Sequence, residues 1–172
     1  MKEKNSVQDE AMMKLALKMA LQAERAGEVP VGAVVVDEKG KILALAHNEP
    51  ISSCDPTAHA EIVAIRKAAR RVGNYRLTGC SLYVTLEPCV MCYGAVIHAR
   101  IKRLVYGAND PKAGAFSSAI DLTKPLYFNH YVEVKGGVLA EKASEMVRAF
   151  FQGKRRGTEV VVTGSTRNRL VR

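Results

Sequence analysis

The stretch from Thr85 to Cys92, Thr-Leu-Glu-Pro-Cys-Val-Met-Cys, constrains this chain most strongly, because it joins a strand to a helix through two cysteines. Residues 80–86 are a short apolar run of the kind that forms a buried strand. Pro88 suits the first position of a helix, where its fixed φ fits and no needed hydrogen bond is lost. The pattern therefore predicts a strand followed directly by a helix whose first turn carries Cys89 and Cys92 on one face.

The two thiols have the spacing of a metal site, and further ligand types lie upstream. At a helix N-terminus the free N–H groups and the helix dipole favour anions, so both sulfurs should ionise more readily than a free cysteine. His59 and Glu61 stand at the predicted start of another helix, with one residue between them. Because imidazole and thiolate are preferred zinc ligands, His59, Cys89 and Cys92 are predicted to bind zinc.

The number of ligands indicates a catalytic site rather than a structural one. Three protein ligands leave one of the four tetrahedral positions of zinc open to water, whereas a structural site closes with a fourth side chain. Zinc acidifies the water in that position, and Glu61 would take its proton as a base and return it as an acid to a leaving group. Residues two apart on a regular helix point to different sides, so His59 and Glu61 must approach the metal from an irregular first turn.

Each part of this pattern has a simpler interpretation when taken alone. A Cys-x-x-Cys pair also occurs in redox centres, in structural zinc knuckles and as two core thiols. Cys54 or His47 could supply a fourth ligand and close a structural site, although Glu61 would then have no role. Otherwise Cys54 and Cys80 are predicted to be a loop thiol and a core residue, and His98 a packing or capping residue.

The order of the elements predicts an α/β protein. Strands and helices alternate after an N-terminal helix and a hairpin, which favours a sheet with parallel strands and helices on its faces. Ser6 is expected to cap the first helix, with the Asp9 carboxylate three residues after it as in a capping box. The predicted elements are the helix Ser6–Gly27, the strands Gly32–Val36 and Lys41–Ala46, the helix His59–Val72, the strand Cys80–Leu86, the helix from Pro88 to about Arg100, the strands Lys102–Gly107 and Val132–Val138, and the helix Ala140–Gln152.

Composition narrows the class of partner. The 172 residues, 48% hydrophobic and 25% charged, are those of one ordinary globular domain. The net charge of +9 points to a polyanionic partner, while the absence of Trp argues against an aromatic platform for single strands. The polar N-terminus and the lack of a long apolar run predict no membrane span and a cytoplasmic location, and the four cysteines are expected to stay reduced.

Longer stretches of the sequence match a known family. His-x-Glu followed about thirty residues later by Pro-Cys-x-x-Cys is the signature of the zinc deaminases. The matching stretches are Asp55–Glu61, Asn74–Leu77, Leu82–Cys92 and Asn129–His130. With these residues the chain resembles the bacterial tRNA-specific adenosine deaminases, within the cytidine/deoxycytidylate deaminase superfamily, over most of residues 7–156.

The resemblance implies a cytidine-deaminase-like three-layer α/β/α fold with a central mixed sheet of about five strands. It implies a zinc-dependent deaminase domain over residues 1–156, followed by a basic tail at 157–172 for which disorder is one expectation. It also implies a homodimer that converts the wobble adenosine of an arginine tRNA anticodon to inosine, with Glu61 as the catalytic residue and Asn48 bonded to the flipped base. The implied anticodon-loop contacts are Asp110, Asn129, Phe150, Phe151, Lys154, Arg155 and Arg156.

The metal signature fixes the reaction type more firmly than the substrate. Deaminases of free guanine, cytosine or deoxycytidylate share it, so a nucleobase or nucleotide deaminase is the main alternative. A zinc-stabilised RNA-binding module without activity is an alternative of another class, and the intact Glu61 argues against it. Basic composition agrees with RNA, because phosphate contacts dominate nucleic-acid affinity, but a run of charge is most often a solvated face.

Overall fold

The computed structural model of this chain describes the backbone of residues 2–116, 118–122 and 129–163, and the side chains of 6–116, 118–122 and 129–155. Within these residues, helices and strands alternate along most of the chain, as the sequence predicts. The elements in order are α1 (Lys2–Arg25), β1 (Gly32–Val36), β2 (Ile42–His47), α2 (Pro50–Ser53), α3 (Ala60–Val72), β3 (Ser81–Leu86), α4 (Val90–His98), β4 (Arg103–Ala108), β5 (Glu133–Lys135) and α5 (Ala140–Thr163).

The strands form one mixed sheet in the order β2-β1-β3-β4-β5. Strand β1 pairs antiparallel with β2 and β3, and the two following pairs, β3 with β4 and β4 with β5, are parallel. A tight turn joins β1 to β2, in which Asp37 Oδ1 accepts the backbone N–H groups of Lys39 and Lys41 at 2.9 and 2.8 Å. The predicted mixed sheet of about five strands is confirmed.

Two hydrophobic cores lie on opposite faces of the sheet. Strand β1 is buried along its whole length, with Ala33 and Val35 in the core beneath α3 and α4, and Val34 and Val36 in the core beneath α1. Helix α5 packs on the same face as α1 through Ala143, which contacts Leu17 and Ala108. Because side chains alternate along a strand, a wholly apolar strand is what a sheet covered on both faces requires. The three-layer α/β/α arrangement is therefore confirmed.

Helix α1 lies almost directly on the backbone of β1. A Cβ atom at Gly32 would fall 2.0 Å from the carbonyl oxygen of Ala16 and 2.5 Å from the nitrogen of Ala20. Both alanines are fully buried. The small residues on each side let the helix approach the strand closely, and a side chain at Gly32 would force the two apart.

The predicted capping arrangement of Ser6 and Asp9 is wrong, because both residues lie inside α1. Helix α1 begins at Lys2, and Asp9, 1% exposed, turns inward. Its carboxylate accepts bonds from Arg103 at 2.6 and 2.9 Å, from Lys135 at 2.8 Å and from the Tyr83 hydroxyl at 3.2 Å. Burial is the largest influence on the pKa of Asp9 and raises it, but the bonds and charges of Arg103 and Lys135 together bring it below its ordinary value. This network fastens α1 to three strands.

Several element boundaries differ from those predicted. Helix α5 continues past Gln152 to Thr163, because Gly153 is tolerated inside a helix at a cost of about 1 kcal/mol when good helix formers flank it. Strand β5 has three residues rather than seven and lies at the edge of the sheet, paired with β4. The loop before α3 contains the short helix α2. Among the helices described, none is long and apolar enough to cross a bilayer.

Candidate active site

The predicted metal ligands lie at the N-termini of two helices. His59 is the N-cap residue of α3, with φ −68° and ψ 152°, and Cys89 is the N-cap residue of α4, with φ −77° and ψ 174°. Neither side chain caps its own helix. Pro88 therefore precedes the cap instead of opening the helix. Cys89 lies outside the helix that carries Cys92, so the prediction that both cysteines share one helix face is wrong. The extended backbone at both caps aims the two side chains at a shared point.

His59, Cys89 and Cys92 form a compact group of metal-binding atoms. Their ligand atoms all lie within 4.8 Å of one another. The Nδ1 atom of His59 is 3.5 Å from Cys92 Sγ and 3.8 Å from Cys89 Sγ. Tetrahedral zinc with Zn–S of about 2.3 Å and Zn–N of about 2.0 Å would hold sulfur and nitrogen about 3.5 Å apart. The spacing and chemistry of the group therefore fit one zinc ion.

The two sulfurs share a proton unequally. The pKa of Cys89 is lowered to about 4, first by a hydrogen bond from Cys92 and next by the neighbouring His59. The same bond to Cys89, followed by burial, raises the pKa of Cys92. The bond with Cys89 also raises the pKa of His59. The lowered pKa favours the thiolate form of Cys89, which is the form that binds a cation.

Glu61 lies in the first turn of α3, beside the metal group. It is 4% exposed, and burial is the main cause of its raised pKa. Its carboxyl group has the Cys92 thiol as a hydrogen-bond neighbour. Because His59 is an extended cap residue and Glu61 lies two residues later in the first helical turn, both side chains reach the metal group from the same end of α3, as the sequence analysis required. A buried carboxyl with a raised pKa is suited to accept and return a proton near neutral pH.

Asn48 borders the same site and is held in one orientation. It follows β2 and is 8% exposed. The side-chain Oδ1 atom of Asn48 accepts the backbone N–H of Ala60 at 2.8 Å, and the backbone N–H of Asn48 donates to Val31 O at 3.0 Å. With the amide oxygen bonded to the first turn of α3, the side-chain NH₂ is the group available to donate to a ligand.

Helix α5 brings some of the predicted RNA contacts together. A groove of about 440 Å³ separates the segment after β4 from α5, with Asp110 and Lys112 on one side and Phe151 on the other. Phe151 is 46% exposed and packs edge to face on Phe150, whose ring has Lys154 at 5.3 Å. Arg155 is exposed on the same helix. The side chain of the predicted residue Arg156 lies outside the described residues. Of the predicted tail 157–172, the backbone of residues 157–163 continues α5, and residues 164–172 lie outside the described residues.

Other predicted residues have local structural partners. Asn129 accepts bonds from Arg100 at 2.9 and 3.0 Å, just beyond the C-terminal end of α4 and away from the metal group at its start. His130 bonds the carbonyl of Ile101 at 2.7 Å. His47 bonds the carbonyl of Asn48, and His98 is exposed at the end of α4. Cys54 is exposed and Cys80 is buried. Among the described residues, no fourth ligand joins the metal group.

The sequence analysis missed Glu87, which the structure places next to the site. Its carboxylate is 2% exposed and accepts the N–H groups of Asp110 and Phe116. A charged residue immediately after a buried strand and before Pro88 was the available signal, since a carboxylate there needs several donors.

Comparisons with known proteins agree with this geometry. Residues 6–108 match the family described as the cytidine and deoxycytidylate deaminase zinc-binding region. The chain is 52% identical to the tRNA-specific adenosine deaminase of Haemophilus influenzae, over 86% of this chain and 85% of the relative.

Two solved structures share the fold. A structure from studies of A-to-I editing by tRNA:A34 deaminases at the wobble position of transfer RNA superposes with a TM-score of 0.76, at 43% identity, covering 79% of this chain and 98% of the other. A guanine deaminase from Nitrosomonas europaea superposes with a TM-score of 0.68, at 26% identity, covering 82% and 83%. The match to the family, residues 6–108, runs from within α1 to the end of β4 and includes every residue of the metal group. This chain belongs to the cytidine and deoxycytidylate deaminase family of zinc-binding enzymes.

Proposed function

We propose that this chain is a zinc-dependent hydrolase that converts adenosine to inosine at the wobble position of a tRNA anticodon. The observation that carries the proposal is the similarity, at 52% identity over 86% of the chain, to a tRNA-specific adenosine deaminase. The site geometry supports it independently, because three ligand atoms and a buried carboxyl lie together at two helix N-termini. Hydrolytic deamination needs this combination of a Lewis acid and a proton carrier.

His59, Cys89 and Cys92 would hold the zinc ion. When bound, zinc lowers the pKa of water and so supplies a nucleophile near neutral pH. Glu61 accepts the proton of the attacking water and delivers it to N1 of adenine. It then takes the second proton of that water from the hydroxyl group now bonded to C6 and delivers it to the amino group. The C6–N bond breaks, ammonia leaves, and the oxygen stays on C6 as the carbonyl of inosine. One carboxyl can carry both transfers because its raised pKa lets it alternate between acid and base.

Asn48 would position the flipped base. Its amide oxygen is already bonded to Ala60 N–H, so its NH₂ group faces the ligand as a donor. A donor at this place pairs with a ring nitrogen or a carbonyl oxygen of a purine, and so helps to orient the base with C6 toward the metal group. A base removed from its stack is recognised by such contacts to its edge.

The basic end of the chain would bind the RNA around the target base. Phe150 and Phe151 offer faces for stacking, and Lys154, Arg155 and Arg156 offer charge to phosphates. We place Asp110 and Asn129 among the RNA contacts as well, although Asn129 would first have to release Arg100. The proposed substrate is an arginine tRNA, the proposed assembly a homodimer, and the proposed location the cytoplasm, where thiols stay reduced.

Deamination of a free nucleobase is the second candidate, favoured by the structural similarity to a guanine deaminase. The two candidates separate in one experiment. Purified enzyme is incubated with total tRNA and, separately, with adenosine, guanine and cytosine, and inosine is then mapped at anticodons. Inosine at position 34 of one tRNA species, without turnover of free bases, supports tRNA editing. Rapid turnover of a free base, with no inosine formed in tRNA, would favour the second candidate over tRNA editing.

Neutralising Lys154, Arg155 and Arg156 to glutamine should weaken tRNA binding and make it less dependent on salt. Each lost phosphate contact removes a counterion-release contribution, so the slope of log affinity against log salt should become shallower by about two. Zinc content should not change, because these residues lie on α5 and not in the metal group. Affinity is measured at three salt concentrations for both proteins.

The matched control for this variant neutralises Lys14, Lys18 and Arg25, three exposed residues of α1. It removes the same net charge from another surface. Equal slopes for wild type and the α5 variant, or an equal change in the control, would contradict a phosphate-binding role for this part of α5.

A further inference from the structure

The loop after β4 is folded around the buried carboxylate of Glu87. We define it as the 110–118 loop, of which residue 117 lies outside the described residues. Oε1 of Glu87 accepts the N–H of Phe116 at 2.9 Å, and Oε2 accepts the N–H of Asp110 at 3.0 Å and the hydroxyl of Ser118. Among the described residues no ion pair includes Glu87. Donors of the loop therefore satisfy this carboxylate, and the carboxylate in turn fixes both ends of the loop.

The loop backbone packs directly on this carboxylate. A Cβ atom at Gly114 would lie 2.4 Å from Cδ of Glu87 and 2.6 Å from the carbonyl oxygen of Asp110. The N–H of Gly114 donates to that same Asp110 carbonyl at 2.8 Å. The middle of the loop is thus held as closely as its ends, and the position admits no side chain.

One side of the loop is bonded to the turn that carries the metal ligands. Gly114 forms a β-bridge with Cys89, and the N–H of Ala115 donates to Pro88 O at 3.0 Å. The other side of the loop contributes Asp110 and Lys112 to the groove that faces Phe151 of α5. The loop therefore connects the metal turn to the groove, and Glu87 sets its position relative to both.

We infer that Glu87 is a positioning residue for RNA binding, which holds the 110–118 loop so that the target base at the metal group and the flanking strand in the groove bind together. The inference rests on the proposed function. Glu87 acts through the loop and not on the reacting atoms, because its carboxylate is fully engaged by Asp110, Phe116 and Ser118. A loosened loop would still allow chemistry once the RNA is seated, so the cost should appear mainly in binding.

The test is Glu87→Gln. An amide keeps the shape of the carboxylate but replaces one acceptor oxygen by an NH₂ group, which then faces the backbone N–H of Phe116 in one orientation and that of Asp110 in the other. A buried donor without an acceptor should open the loop often enough to raise KM for an anticodon stem-loop about tenfold. The kcat value should change by less than about threefold, and zinc content should stay at the wild-type level.

Amide hydrogen exchange tests the loop without any substrate. In the Glu87→Gln variant the N–H groups of Asp110 and Phe116 should exchange at least about tenfold faster, while the amides of β3 and β4 keep their protection. This readout separates the two proposals. If the wild type does not edit tRNA, the proposed function fails, and unchanged exchange at Asp110 and Phe116 would overturn the anchoring role by itself.

Two further variants keep the inference open to refutation. Ser118→Ala removes one donor to Glu87 and leaves both backbone bonds, so it should raise KM by a smaller factor than Glu87→Gln. If Glu87→Gln does not fold, the KM of Ser118→Ala tests the inference in its place. Tyr83→Phe removes a buried bond to Asp9 far from the loop and should leave KM unchanged. Wild-type KM in both Glu87→Gln and Ser118→Ala would overturn the inference. Loss of zinc in step with the rise in KM would do the same, because Glu87 would then support the metal turn.

Discussion

A Glu61→Gln enzyme should lose at least about a thousandfold in turnover while retaining one zinc ion per chain. The amide preserves the size of the side chain but cannot take a proton from water or deliver one to the base. Glu61 is 4% exposed and is not among the three clustered ligand atoms, so the metal group should remain intact. Turnover is measured on an anticodon stem-loop and zinc by elemental analysis of the same preparation.

The control for this substitution is Glu10→Gln, at an exposed position of α1. It makes the same chemical change away from the site and should leave turnover and zinc content as they are. Affinity for the stem-loop should also stay within about threefold in Glu61→Gln, since the residue acts on the proton and not on the RNA backbone. A parallel loss of zinc would instead make Glu61 a metal ligand and remove it from its role as proton carrier.

The sequence predicts most accurately those features that depend on residues close together along the chain. The apolar run Gly32–Val36 predicts a strand, which the structure confirms as β1, with its alternate residues in two cores. Cys89 and Cys92 predict a metal site because their types and spacing are sufficient for it. His59 lies thirty positions upstream, yet it was found as well, because imidazole completes a set of ligands that zinc requires.

Features that depend on a distant partner were predicted less well. Asp9 has the spacing of the acidic residue in a capping box, but Arg103 and Lys135, more than ninety positions away, provide a stronger reason for its burial. Pro88 has the residue type of a first helical position, but Cys89 must be extended to meet His59, so the helix begins later. Glu87 was overlooked because its donors lie on a loop without a recognisable pattern. Tertiary bonds decided each of these positions, and local propensity did not.

Helix α5 shows a third kind of difference. Gly153 ended the helix in the sequence-based prediction, whereas the structure continues it to Thr163. Glycine lowers helix stability by about 1 kcal/mol, which neighbouring residues of high propensity can offset. Lys154 and Arg155 are therefore presented on a regular helix beside Phe150 and Phe151, beyond the point at which the predicted helix ends.

Replacing Cys92 or Cys89 by alanine should remove both zinc and activity. Each substitution leaves two protein ligands. Mutation of a residue that only supports a metal ligand can lower metal affinity by roughly a hundredfold, so loss of a ligand itself should lower zinc affinity by more. The two variants should differ in stability. Cys92 is wholly buried in α4, so its replacement also leaves a small cavity, whereas Cys89 is partly exposed at the helix cap.

Stability should follow zinc occupancy, because the metal group joins the N-termini of α3 and α4. A ligand that binds only the folded state stabilises it by about 4 kcal/mol when its concentration is a thousand times Kd. The Tm of the wild type should therefore rise with added zinc and fall with a chelator. The Tm of both alanine variants should be lower and should respond little to either.

Cys80→Ala is the matched control, because Cys80 is a buried thiol before β3 that does not belong to the metal group. It should lose some stability through the cavity left by sulfur, but its zinc content, its turnover and the response of its Tm to a chelator should match the wild type. Comparison with Cys92→Ala then separates loss of packing from loss of metal. Full zinc content and full turnover in either Cys89→Ala or Cys92→Ala would show that the ion is held by other residues, and the three-ligand site would have to be abandoned.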